Sequence, residues 1–259
     1  MPTNQTTSVA LPNSEILQQL HYEIIGEDYD AHYNDVHSRS YMRQFAFEPM
    51  FRGIDLSGMS VLEAMCGGGQ ATNYLMERKA HVTGLDISPR QTANFLKRHP
   101  NASVLCGSIL RSGIASETFD LVSVVGGIHH MPPNVSECIE EIHRILKRGG
   151  YFCFMEPHSE AVIDRVRRAW YKRDPLFAKN EEAINMSELH RTFEDRFEFR
   201  HEHFRGNFGY LFVLNSMVFR VPLPLKPLYS PAMIALERVF NRIGGRALSC
   251  FVVAQWQKL

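Results

Sequence analysis

The run VLEAMCGGGQATNYL, residues 61 to 75, joins an apolar stretch carrying Glu63 to three consecutive glycines, Gly67 to Gly69, and then to a helix-like pattern. A strand, a glycine turn and a helix aim backbone N–H groups at a helix N-terminus, where the negative group of a ligand can sit. Glycine suits such a turn because a side chain would block close approach and because positive φ is open to it. Nineteen residues after Gly67, Asp86 closes a second apolar run, HVTGLD. A carboxylate there accepts two hydrogen bonds from a ribose diol, or else assists the cap of the helix that Ser88 begins. Further along, FDLVSVVGGIHHM carries His129 and His130, and YFCFMEPH carries Glu156 and His158. A His or carboxylate tuned near neutral pH is the usual base for a hydroxyl nucleophile. Packing is the rival role for the His pair.

The elements that position these groups alternate in a regular way. Residues 1 to 13 read as a polar tail, and helical patterns follow at 14–25 and 38–53, separated by the acidic, aromatic EDYDAHYND. From Met59 onward come strand SVLEA, helix GGQATNYLMERK, strand HVTGLD and helix SPRQTANFLKRH. That last helix shows Ser88 as N-cap, Pro89 at the first position and Gln91 three after the cap, a full capping box. ASVLCG and FDLVSVVGG read as the third and fourth strands, and YFCFME as the fifth. Between these last two, NVSECIEEIHRILK places Val135, Ile139, Ile142 and Leu146 on one face and stops at Lys147-Arg148-Gly149. Short apolar strands alternating with amphipathic helices imply a parallel sheet covered on both faces. After Pro157 the rhythm changes: a basic helix near 159–173, a helix near 186–195, and strands in RFEFRHEHF and ALSCFVVAQWQK.

Composition sets bounds. The chain has 259 residues, 44% hydrophobic and 22% charged, with zero formal net charge. That suits one substantial core and argues against a dedicated nucleic-acid binder of DNA or RNA, which would carry a basic excess. Five widely spaced cysteines without a C-x-x-C pair read as buried free thiols, which fits a reducing cytoplasm. The first residues lack the pattern of a secretory signal, and no run reaches the ~18 apolar residues of a membrane span. The twelve histidines show no metal-ligand spacing, so no metal is expected.

VLEAMCGGG resembles the motif V-L-D-x-G-x-G-x-G of class I S-adenosylmethionine-dependent methyltransferases, and GLDIS resembles their ribose-binding acidic motif. FDLVSVVGGIHHM is similar to the fourth-strand motif of the small-molecule members, and LKRGG to their L-K-P-G-G turn. The resemblance covers residues 59 to 157 well and the rest loosely. It implies an α/β, Rossmann-like, doubly wound seven-stranded sheet, mostly parallel with the last strand antiparallel, with N-terminal helices and a helical insertion before the last strand. The implied organisation is a tail (1–13), an N-terminal helical lid (14–58), a cofactor-binding domain (59–204 with 246–259) and an apolar helical insertion (205–245). By the same resemblance Glu63 lies near the cationic end of S-adenosylmethionine, Gly67 and Gly69 form the backbone cradle, Asp86 holds the ribose and Ile87 packs on the adenine. Gly126 passes the methyl group, and Tyr29 and Tyr33 belong to the lid. Met65 departs from the family by replacing its first glycine, so a tighter or shifted turn is expected. Ser108 stands where an aspartate often reads the adenine amino group.

The expected activity is therefore methyl transfer to a small or amphiphilic metabolite, at oxygen, with His130, His129 or His158 as the base. Rivals are an RNA methyltransferase, suggested by RVRRAWYKR at 165–173 but opposed by zero net charge, a catalytically inactive cofactor-binding module, and an NAD(P)-dependent oxidoreductase. The apolar segment 206–245 reads as a pair of helices, Phe208–Phe219 and Ala232–Ile243, broken by PLPLKP. An apolar helix face must be covered, and the expectation is a lipid-like acceptor, peripheral membrane contact or a homodimer.

Overall fold

The computed structural model describes residues 32–162, 182–218, 220–243 and 245–259. The N-terminal tail, the helix expected near 14–25, Tyr29 and the basic run 165–173 lie outside the described residues. The seven strands are β1 (Ser60–Ala64), β2 (His81–Asp86), β3 (Ser103–Cys106), β4 (Phe119–Val125), β5 (Leu146–Pro157), β6 (Phe197–Arg205) and β7 (Phe251–Lys258). They form one sheet in the order 3-2-1-4-5-7-6. Strands β1 to β5 pair in parallel, and β7 runs antiparallel between β5 and β6. This is the expected Rossmann-like sheet.

Side chains alternate across the strands, so the sheet is buried on both faces. Val61 and Cys153 join one core with Tyr74, Leu75 and Phe95, whereas Leu62, Phe152 and Phe154 join the other with Ile139, Ile142 and Phe193. The first face is covered by α1 (Val36–Met42), which runs on through a π turn at Arg43–Phe47, and by α2 (Thr72–Glu77) and α3 (Pro89–Arg98). The second is covered by α4 (Val135–Ile145) and α5 (Met186–Phe193). Among the cysteines, Cys66, Cys138 and Cys153 are buried as expected, but Cys106 is exposed at the sheet edge.

Two boundaries differ from the sequence reading. Helix α4 stops at Ile145, and Leu146 is already extended because it pairs with Phe119 of β4. Its last carbonyls are met by Lys258 from β7, whose Nζ donates to His143 O and Leu146 O at 2.8 Å each, rather than by Lys147 and Arg148. The insertion is not two apolar helices either. It contains a π turn at Tyr210–Leu214, a 3-10 turn at Leu223–Leu225 and one long helix, α6 (Lys226–Ile243), that absorbs both Pro227 and Pro231. Pro227 sits in the first turn, where no N–H is needed, which is why the PLPLKP run does not end the helix.

The insertion leaves β6 at Arg205 and returns at Phe251, a residue paired with both Arg205 and Pro157. It therefore stands at the carboxyl end of the parallel strands and packs there on α1. Two buried charges join them. Lys226 Nζ donates to His32 O at 2.7 Å, Ser38 Oγ at 2.7 Å and Asp35 Oδ2 at 2.5 Å, while Asp35 also caps α1. Glu237, fully buried, accepts from Tyr41 Oη at 2.9 Å, Asn207 N at 2.9 Å and Gly209 N at 2.9 Å. We expect Glu237→Ala to destabilise the protein by roughly 3 kcal/mol in urea titrations, because several buried donors lose their acceptor together. A change below about 1 kcal/mol would mean that those donors find other partners.

Candidate active site

Strand β1 delivers Glu63 to the floor of the site, where its side chain is buried. Oε1 accepts from Ala71 N at 2.8 Å and Oε2 from the Thr72 hydroxyl at 2.5 Å. These donors form the start of α2, so the negative group at that helix N-terminus is the protein's own. Burial pushes the Glu63 carboxyl up to about 7, against the pull of those hydrogen bonds.

The glycine turn is closed in the same way. Gly67 N donates to Asp86 Oδ2 at 2.8 Å, and Gly69 N donates to Cys66 O at 2.8 Å. Both N–H groups are thus engaged inside the turn. What the two glycines supply is backbone shape, with φ of +51° and +85°. A Cβ on Gly69 would lie 2.5 Å from His99 Nε2, while the space beside Gly67 is open. Met65, where the family pattern has glycine, keeps the left-handed backbone at φ +52°. That conformation costs a side-chain-bearing residue about 1–2 kcal/mol. The Met65 side chain also fills the place a Cβ on Gly127 would need, only 2.9 Å away.

Asp86 both shapes the turn and caps a helix. Oδ1 accepts from Ser88 N at 2.9 Å, the bond that a full capping box would give to Gln91, while Ser88 Oγ accepts from Gln91 N at 3.3 Å. Gly67 N and Ser88 N take two of the roughly four acceptor sites of an ionised carboxylate, and the Ile87 N–H also favours its charge. Burial raises the Asp86 pKa, and its backbone hydrogen bonds oppose that rise. Ile87 beside it is half-buried. Ser108 is buried, and its hydroxyl accepts from Leu110 N at 3.0 Å to cap the turn Ile109–Arg111.

Across the point where the strand order reverses, between β1 and β4, a second carboxylate closes a second turn. Gly126 has φ +65°, and Gly127 leads into the 3-10 turn Ile128–His130. Glu156, fully buried at the end of β5, accepts from Gly127 N and Ile128 N at 2.7 Å each through Oε1. Its Oε2 lies 2.7 Å from His129 Nδ1. Burial pushes the Glu156 carboxyl up to about 7. The His129 ring sits beside Gly126, with Cε1 3.8 Å from where a Cβ would be, and 3.9 Å from the His130 ring centre.

The predicted residues thus separate into groups. Glu63, Gly67, Gly69 and Asp86 meet at the ends of β1 and β2. Gly126, His129, His130 and Glu156 meet at the ends of β4 and β5. His158 belongs elsewhere: it is buried, with Nε2 2.9 Å from Ser249 O and its ring edge-on to Phe204. The Tyr33 hydroxyl donates to Asn215 Oδ1 at 2.8 Å and so ties the N-terminal segment to the insertion. The sequence reading did not join Glu156 to His129. An acid ending β5 as Glu63 nearly ends β1 was the available signal.

A family described as "Methyltransferase domain" matches residues 62–154. An uncharacterized methyltransferase from Synechocystis sp. is 37% identical over 102 residues, 39% of this chain and 48% of the relative. The chain spans about half the length of several such relatives. A fatty-acid O-methyltransferase of Mycolicibacterium smegmatis is 30% identical over 207 residues, covering 76% of this chain and 69% of that protein. Among solved structures, a methyltransferase from Thermotoga maritima described as a possible histamine N-methyltransferase shares the fold with a TM-score of 0.65 at 18% identity, covering 93% of this chain and 99% of that one.

The fold and the two carboxylate-closed turns are those of an α/β protein that binds a nucleoside-bearing cofactor at the switch point of its sheet. The chain belongs to the class I S-adenosylmethionine-dependent methyltransferases. The residues present fit that cofactor better than a dinucleotide. A pyrophosphate needs the helix N-terminus that Glu63 already occupies, whereas a sulfonium and an ammonium group are compatible with a nearby acid. Calorimetric titration of Asp86→Ala should give S-adenosylmethionine binding roughly ten- to a hundredfold weaker than the parent, from the loss of a charged acceptor and of the bond that fixes Gly67. Unchanged affinity in a folded variant would restrict Asp86 to its capping role.

Proposed function

We propose that this protein transfers the methyl group of S-adenosylmethionine to an oxygen of a small, amphiphilic, lipid-like acceptor, with His129 as the base. The observation that carries the reading is the His129–Glu156 pair at 2.7 Å, held beside Gly126 at the carboxyl end of β4. When bound, the cofactor supplies a methyl group on a sulfonium; this chain's residues would supply orientation, exclusion of water and a proton acceptor. An ionised Glu156 holds the proton of His129 on Nδ1 and leaves Nε2 to take a hydroxyl proton. The carboxylate would also stabilise the imidazolium that forms. His130 lies tilted against this ring, and its role in the reading is packing. The cofactor would rest against Gly67, Gly69, Asp86, Ile87 and Ser108, with Glu63 and Gly126 at its reacting end.

Support for the acceptor class comes from two sides. The cap over the carboxyl end of the sheet, α1 with the insertion, places apolar Val213 and Leu214 in one core with Tyr41 and Phe45. The similarity to a fatty-acid O-methyltransferase over 76% of the chain also favours a lipid-like acceptor. RNA is the weaker reading, since the formal net charge is zero.

Formation of S-adenosylhomocysteine with fatty acids, long-chain alcohols and RNA as acceptors tests the class; turnover on RNA alone would refute it. A carboxylate acceptor has no proton to lose, and an alcohol does. His129→Ala should therefore lower turnover of a hydroxyl acceptor by about 10²–10⁴-fold and leave cofactor affinity intact. If hydroxyl turnover stays within about threefold of the parent, His129 is not the base. Because the Glu156 carboxyl lies at about 7, turnover of a hydroxyl acceptor should rise through neutral pH as Glu156 ionises, and Glu156→Gln should remove that step from the pH profile.

A further inference from the structure

Helix α6 is built the wrong way round for a surface helix. The side chains it buries fully are Lys226, Ser230, Ile234 and Glu237, of which one is apolar, while Tyr229 and Met233 pack partly buried against the core. Its exposed side carries Leu228 at 80% exposure, Val239 at 50% and Ile243 at 76%, together with Ala232, Ala235 and Leu236. At roughly 100° per residue, Leu228, Ala232, Ala235, Val239 and Ile243 share a face about 80° wide, opposite the buried stripe. Leu225, 48% exposed in the turn before the helix, extends the same face. The ordinary amphipathic helix buries its apolar side; here hydrogen bonds donated by Lys226 and accepted by Glu237 hold these polar groups inward, and Leu228, Val239 and Ile243 face outward.

The exposed charges within this segment have one sign. Between residues 206 and 249 the single acid is Glu237, which is fully buried. Arg220, Arg238 and Arg242 are exposed, and the last two flank the apolar face on one side. Arg246 is balanced by Glu160 at 3.0 Å, and Arg238 meets only the neutral amide of Gln44 at 2.7 Å. Pairing two copies of this helix would oppose two arginine-edged faces, and the segment itself offers no exposed acid to separate them. An anionic phospholipid surface answers both features, taking the apolar face among its acyl chains and the arginines among its headgroups.

We infer that α6 docks this protein on an anionic phospholipid surface, lying in the plane of the interface. No helix among the described residues is long and apolar enough to cross a membrane. The 18-residue helix lies at the carboxyl end of the sheet, where the reacting groups are, so docking turns that end toward the lipid. This inference goes beyond the methyl-transfer reading and does not depend on which acceptor is used.

The test is vesicle flotation of the full chain without cofactor or acceptor. Vesicles of phosphatidylglycerol and phosphatidylcholine in equal parts are compared with phosphatidylcholine alone. We expect binding to the anionic vesicles, weakened by added salt. The pair Leu228→Glu with Ile243→Glu should weaken it by at least roughly tenfold, because two exposed apolar anchors are lost. Arg242→Glu should weaken it by roughly fivefold or more, through charge alone. Circular dichroism melts check folding, and should the double variant unfold, Arg242→Glu alone decides. No binding by the parent, or equal binding by the folded variants, overturns the inference. So does a dimer in light scattering that the double variant dissociates, since a second copy would then be the occupant.

Discussion

Sharp turns at the carboxyl end of a sheet leave amide hydrogens that neither strand nor helix can satisfy. In this protein they are closed by carboxylates, three of them fully buried. Glu63 holds the start of α2, Asp86 holds Gly67, Glu156 holds Gly127 and Ile128, and Glu237 holds Asn207 and Gly209. Each unsatisfied buried amide would cost about 1–3 kcal/mol, so a carboxylate that takes two or three of them offsets much of its own desolvation. The remaining electrostatic cost shows in the raised pKa values of Glu63 and Glu156, both near 7. The arrangement makes the site's geometry a property of side chains on rigid strands, with loops following them.

Much of this was legible in the sequence, and the exceptions have physical reasons. The bounds of β1 and β2 follow from apolar runs that end at acids and turns. The start of α3 follows from Ser88 and Pro89, since cap chemistry is local. The end of α4 was not legible, because its carbonyls are met by Lys258, more than a hundred residues away. Nor was the course of α6: prolines read locally as breakers were accommodated in its early turns, and the burial of Lys226 and Glu237 depends on partners in the N-terminal segment. The glycine motif located the turn but not the fate of its amides, which Asp86 and Cys66 take up.

Met65 and Gly127 show how the two halves of the floor constrain one another. A residue with a long side chain occupies a left-handed position on the β1 turn, and its neighbour on the β4 turn has no Cβ. The volume taken on one side is released on the other. The approach of the two turns is thereby fixed at the point where cofactor and acceptor chemistry must meet, and the His129–Glu156 pair hangs from the β4 side of the same contact.

The cap joins parts of the chain that lie far apart. Tyr41 meets Glu237 across 196 positions, and Lys226 reaches the His32 carbonyl across 194. The floor, by contrast, is assembled wholly within residues 60–157. Closing so long a loop carries an entropic penalty that nearby contacts avoid, and contacts of high sequence separation form late. During synthesis α1 emerges before the sheet and must wait until Lys226 and Glu237 have followed before its polar partners exist. The floor takes shape before its roof, and until the roof closes, Tyr41 and the backbone around His32 remain open to solvent and to other chains.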